Sequence, residues 1–165
     1  MSEIDAEKVK SQLQQEFLEL VAIDSPSWGE AAMAVVIRKK LEALGFQVIE
    51  DKVHNLYGYL PGQLDKEPVL FSAHMDTVEP AKGKEAICED DGTIRSAGKA
   101  VLGADCLSGL VEILQGIRLV QQSGKEHRPV EVLISVAEEI YCQGASLFDF
   151  AQIKAKDSYV LDLTG

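Results

Sequence analysis

Apolar side chains near the amino terminus recur at three- and four-residue steps. Val9, Leu13, Phe17, Leu20 and Val21 predict an amphipathic helix over Ala6 to Ile23, closed by Asp24-Ser25-Pro26. Ser27 followed three residues later by Glu30 reads as a capping box, opening a second helix whose stripe is Met33, Val36, Ile37, Leu41 and Leu44, with Gly45 as its stop. Short strands are predicted over Phe46 to Ile49 and His54 to Leu60. Pro61-Gly62 supplies a turn before the apolar run Val69 to Ala73, which reads as a buried central strand. Ala86 to Ser96 fits two short strands about Asp90-Asp91-Gly92, and a solvated acidic loop nearly as well. Leu110, Val111, Ile113, Leu114, Ile117 and Val120 define a strongly apolar helix ending near Gly124. A strand over Val130 to Ala137, a short helix within Ala145 to Phe150 and a last strand over Tyr159 to Leu161 complete the pattern. Strands alternating with helices predict an α/β domain, layered helix-sheet-helix, with a largely parallel, mixed central sheet.

Bulk properties narrow the choices. The chain has 165 residues, 46% of them hydrophobic, enough for one core and too few for two ordinary domains. Its formal charge of -11 argues against a nucleic-acid partner. No window approaches the roughly 18 apolar residues that span a bilayer, so no membrane partner is expected. Cys88, Cys106 and Cys142 are odd in number and without a Cys-x-x-Cys pair, which fits reduced thiols and a cytoplasmic protein.

The candidate chemistry sits where apolar strands stop. His74 and Asp76 follow the central strand, Glu138 and Glu139 follow the strand from Val130, Asp162 follows the last strand, and Asp105 lies in the loop entering the buried helix. Ligands in open α/β sheets collect outside the carboxyl ends of strands. His-x-Asp alone fits a structural pair as well as a metal ligand with its orienting carboxylate, and a lone Glu pair is usually a solvated face. Together, one imidazole and several carboxylates suit zinc, cobalt or manganese.

The motifs Ser72-Ala73-His74-Met75-Asp76-Thr77-Val78, Leu102-Gly103-Ala104-Asp105, Ala137-Glu138-Glu139 and Val160-Leu161-Asp162, in this order, resemble those of the di-zinc exopeptidases and deacylases. That family includes peptidase T, carboxypeptidase G-type enzymes and succinyl-diaminopimelate desuccinylase. Asn55-Leu56-Tyr57-Gly58-Tyr59-Leu60-Pro61-Gly62 is similar to the peptidase T-like branch. The resemblance implies zinc-dependent hydrolysis of a peptide or related amide bond, with short peptides or acyl-amino acids as substrates. His74, Asp105 and Asp162 would hold one zinc, and Asp105 would bridge to a second that Glu139 also binds. Glu138 would be the general base, and Asp76 would orient His74. The competing expectation is a metal-binding but non-catalytic fragment or interaction module.

Two departures from the family stand out. Cys106-Leu107-Ser108-Gly109 replaces the usual Asp-Lys-x-Gly after the bridging aspartate, which makes a thiol ligand conceivable. The family also continues into a lid domain and a returning segment that brings a final His ligand, and neither His54 nor His127 matches that motif. The expectation is therefore the N-terminal portion of a metallopeptidase catalytic domain. Such a portion would leave a sheet edge and apolar surface open to self-association.

Overall fold

A computed structural model describes residues 5–162. Two helices come first, α1 (Ala6–Val21) and α2 (Ala31–Ala43), then strands β1 (Gln47–Glu50), β2 (Leu56–Leu60) and β3 (Val69–His74). A hairpin of β4 (Ala86–Cys88) and β5 (Ile94–Ser96) precedes α3 (Ala104–Gln122), β6 (Val130–Ser135) and β7 (Asp157–Val160). Five strands form one mixed sheet in the order β1-β2-β6-β3-β7. β3 has parallel neighbours on both sides, β6 and β7, while β2 runs antiparallel to both β1 and β6. The acidic segment about Asp90-Asp91-Gly92 is a hairpin, with β4 and β5 antiparallel.

Alternation along the strands separates two layers. Leu56, Val69, Ala73, Val132 and Ile134 point to one face, where α1, α2 and α3 bury Leu20, Met33, Ile37, Leu41, Leu110 and Leu114 against them. Each such side chain, fully removed from water, contributes roughly 1.5–3 kcal/mol. The opposite face carries Tyr57, Leu70 and Leu133 packed on Phe148. Its helical layer is thin, consisting of 3-10 turns at Ala145–Leu147 and Phe150–Gln152 in place of the short helix read from the sequence.

Glu131 is fully buried on this second face, where it accepts hydrogen bonds from the Tyr57 hydroxyl (2.9 Å) and the Lys154 and Ala155 amides (both 3.0 Å). That arrangement ties the chain after the turns back to β6.

Three local expectations change in ways that matter for the polar residues. The Ser27/Glu30 capping box does not form: α2 starts at Ala31, and Glu30 precedes it without a side-chain cap. Ser27 instead reaches across the fold, because the Ser25–Ser27 segment lies beside Thr77, with a Pro26–Thr77 parallel bridge and a Thr77 N–H to Ser25 O bond of 2.9 Å. β6 ends at Ser135 rather than Ala137, since Ala137 has φ +50°. α3 extends back to Ala104, but Asp105 and Cys106 depart from helical angles, and the peptide between them is cis.

Candidate metal centre

His74 is the last residue of β3 and 2% exposed. Its Nδ1 side faces the loop that follows, 3.0 Å from the Asp76 carbonyl oxygen and 3.2 Å from Asp76 Oδ1. Its Nε2 side faces carboxylates delivered by three other parts of the chain: Asp105 Oδ1 at 3.2 Å, Glu138 Oε2 at 3.7 Å and Asp162 Oδ1 at 3.9 Å. Burial disfavours protonation of this imidazole. The hydrogen-bonded Asp76 and the Asp162 and Glu138 charges outweigh burial and lift its pKa to about 9. A single cation is thus surrounded by more negative charge than it neutralises.

Asp76 is the organiser of the cluster. Its carboxylate is fully buried and accepts from Ser27 Oγ (2.7 Å), the Glu138 amide (2.9 Å) and the Glu139 amide (3.1 Å), in addition to facing His74. Burial by itself would raise its pKa, but the bonds from His74, Ser27 and Glu138 hold it below the ordinary carboxylate value. One side chain therefore fixes the imidazole and the start of the glutamate pair together.

The glutamate turn is held amide by amide. Val136 N–H donates to Asn55 Oδ1 (3.0 Å), Ala137 N–H to Glu30 Oε1 (2.8 Å), and the next two amides to Asp76. Asn55 and Glu30 are buried, and Asn55 is itself anchored to Asp51 and to the Gly144 carbonyl. A non-glycine residue in the left-handed region costs about 1–3 kcal/mol, so the buried acceptors around Ala137 offset a real strain. Sequence reasoning missed Ser27 and Glu30, which resembled a local cap, and noted Asn55 only as the start of the segment similar to the peptidase T-like branch, without its role of holding the Val136 amide.

The other ligand candidates enter from α3 and β7. Gly103, with φ +79°, starts the α3 turn where a side chain would collide with Thr77. At Gly109 an added Cβ would strike the Leu161 carbonyl oxygen, so glycine there lets α3 approach the end of β7 closely. The Leu161 amide continues the ladder to Ser72 O at 2.9 Å, which carries Asp162 to the carboxyl end of the sheet. Cys106 is 1% exposed and donates its thiol to Leu161 O at 2.7 Å, with burial pushing its pKa up to about 12. The thiol is therefore a tie between α3 and the β7 end.

Ligand atoms of His74, Asp105, Cys106 and Asp162 all lie within 4.8 Å of one another. Donors around a tetrahedral zinc at ~2.0–2.2 Å are themselves about 3.4 Å apart, so the separations about His74 Nε2 fit an ion of that size. Glu139 lies outside this tight group. Burial raises its carboxyl pKa, as do the charges of Asp105, Asp76 and Glu138, with His74 opposing. Glu138 accepts from the exposed Cys142 thiol at 3.2 Å. His54 pairs with Glu50 and His127 faces the Arg128 carbonyl, both apart from the cluster.

Such a cluster at the carboxyl ends of parallel strands defines a class: α/β proteins with an imidazole and carboxylate centre suited to a divalent metal. Residues 55–163 match peptidase family M28, and the chain belongs to that family. It is 30% identical to a tripeptidase from Staphylococcus aureus, with a TM-score of 0.90 over 94% of this chain and 44% of that one. It is 37% identical to the aminopeptidase PepT of Bacillus cereus, with a TM-score of 0.89 over the same shares. Among curated relatives, the uncharacterized protein YqjE of Bacillus subtilis is 34% identical over 94% of this chain and 44% of its own length. The chain thus spans less than half the length of these relatives.

Proposed function

We propose that the chain carries the metal-binding part of a cytoplasmic, zinc-dependent exopeptidase that hydrolyses short peptides or related acyl-amino acids. The observation that carries this reading is the convergence of Asp105, Glu138 and Asp162 on His74 Nε2 from three separate segments. The peptidase family and the relatives' own activities support the reaction class. In this reading His74, Asp105 and Asp162 hold one zinc, and Asp105 with Glu139 contributes to a second. Cobalt and manganese are the natural substitutes for such a donor set. When bound, zinc supplies positive charge that polarises the scissile carbonyl and makes water easier to deprotonate.

The protein groups do the rest. Glu138 takes the proton from the attacking water and delivers it to the departing amine nitrogen as the C–N bond breaks. Asp76 keeps Nδ1 of His74 engaged, so Nε2 stays directed at the centre. Among the described residues the second zinc would draw on two carboxylates only, fewer than the three protein ligands usual for zinc. Asp157–Val160 forms an edge strand, and Tyr159 and Val160 are 58% and 67% exposed, which supports self-association through that edge.

Hydrolysis of di- and tripeptides by the protein at its natural length tests the proposal. Zinc-dependent turnover that collapses in Glu138→Gln is the expected outcome. Zinc binding without turnover at that length would favour a non-catalytic metal module.

A further inference from the structure

Resting on the metal-centre reading above, we infer that Glu30 is a positioning residue for the Glu138–Glu139 pair: its buried carboxyl holds the Ala137 amide and so fixes the left-handed turn from which both glutamates enter the centre. Glu30 is 2% exposed and 2.8 Å from the Ala137 nitrogen. It stands at the head of α2 yet makes no cap bond to that helix, so helix capping does not account for its carboxylate. Burial raises the pKa of this carboxyl, and the hydrogen bond from the Ala137 amide is the largest of the backbone bonds that oppose the rise, ahead of those with the Glu30 and Trp28 backbone.

The geometry around it is cumulative. Four consecutive amides, from Val136 to Glu139, each meet a buried side-chain oxygen from Asn55, Glu30 or Asp76. Ala137 is the one of the four with positive φ, and it is the one that Glu30 holds. Loss of that acceptor frees Ala137 to return toward strand geometry. In a strand, adjacent side chains point to opposite faces, so Glu138 and Glu139 could no longer both address the centre. Glu30 touches neither substrate nor metal in this account and acts only through the backbone.

Two measurements on the full chain test it, using Glu30→Ala, Glu30→Gln and the double variant Glu30→Ala/Ala137→Gly. In metal-free protein, E30A is expected to speed amide exchange at Ala137 about tenfold relative to Val132, the equivalent of one lost hydrogen bond. E30Q retains an acceptor oxygen and should stay near wild type. In a cobalt titration followed by visible absorption, E30A should weaken the weaker, Glu139-dependent step by about tenfold and leave the tight step unchanged. Ala137→Gly should restore that step, because glycine takes positive φ unaided.

Unchanged Ala137 exchange in a folded E30A protein would overturn the inference, as would equal weakening of both cobalt steps without rescue by A137G. If E30A does not fold, recovery of folding in the E30A/A137G double variant supports the inference, because glycine removes the strain that Glu30 offsets, and a double variant that also fails to fold overturns it. If wild-type protein takes up no cobalt, the metal reading fails, and the Ala137 exchange result alone decides whether Glu30 holds the turn.

Discussion

Replacing Asp76 by asparagine removes one charge and one acceptor from a site with no room for either loss. The Oδ1 atom serves the Glu138 amide and faces His74, and Oδ2 serves Ser27 and the Glu139 amide. Whichever way the new amide group turns, its NH2 faces one of those backbone N–H groups, donor against donor. A buried N–H left unpaired costs about 1–3 kcal/mol, and each remaining bond loses its charge assistance, roughly 1 kcal/mol apiece. The sum is on the order of 4 kcal/mol, a large share of the ~5–15 kcal/mol that holds a domain together. Urea denaturation of the metal-free chain reads it directly. With a slope of ~1–3 kcal/mol per molar, the Asp76→Asn midpoint should fall by about 2 M with the slope unchanged. In parallel, the His74 imidazole should lose its raised pKa of about 9 and titrate lower by NMR, since the Asp76 hydrogen bond and charge help to raise it against burial. A midpoint within about 0.3 M of wild type would show that Asp76 does not organise the cluster.

Two further outcomes follow from the same geometry. Glu138→Gln should abolish turnover of the natural-length protein and leave metal content intact, whereas Glu139→Gln should lower both; equal metal loss, measured by atomic absorption, would undo the division of roles. Lys84 is 4% exposed, its amine donates to the Ser25 and Thr77 hydroxyls, and burial lowers its pKa to about 8, with the Asp24 charge opposing. The unfolded chain binds that proton up to about pH 10.4, so it holds more protons than the folded chain between pH 8 and that value, and this contribution to stability rises with pH. Lys84→Met should therefore be more stable than wild type at pH 7 by about 3 kcal/mol, with the difference shrinking as denaturation is repeated toward pH 10. A gap that stays constant or widens refutes the burial argument.

The sequence made the strand-end residues legible because the signal is local: an apolar run, then an imidazole or carboxylate, as at His74, Glu138 and Asp162. The α/β class was legible for the same reason, from periodicity within each segment. What stayed hidden depends on partners far along the chain. Ser27 and Glu30 satisfy a local capping rule, but the Ser25–Ser27 segment docks beside Thr77, and Ser27 bonds Asp76, 49 positions away. Ala137 continues an apolar run and reads as strand, while its φ is positive and its amide donates to Glu30, 107 positions earlier. Cys106 reads as a departure from a metal motif, and only the approach of Leu161 turns it into a packing and hydrogen-bonding group. The antiparallel pairing of β1 and β2 follows from their short Asp51–Asn55 connection, which leaves no room for the crossover that a parallel neighbour needs.

In the proposed function, His74, Asp105 and Asp162 form one metal site, and Asp105 and Glu139 form only part of a second. Calorimetric zinc titration of the purified chain, repeated with Asp105→Ala and His74→Ala, tests it most directly. The wild-type chain should bind one zinc tightly and a second distinctly more weakly, with the tight step lost in both variants. Two equally tight sites, or a tight step that survives Asp105→Ala, would contradict it.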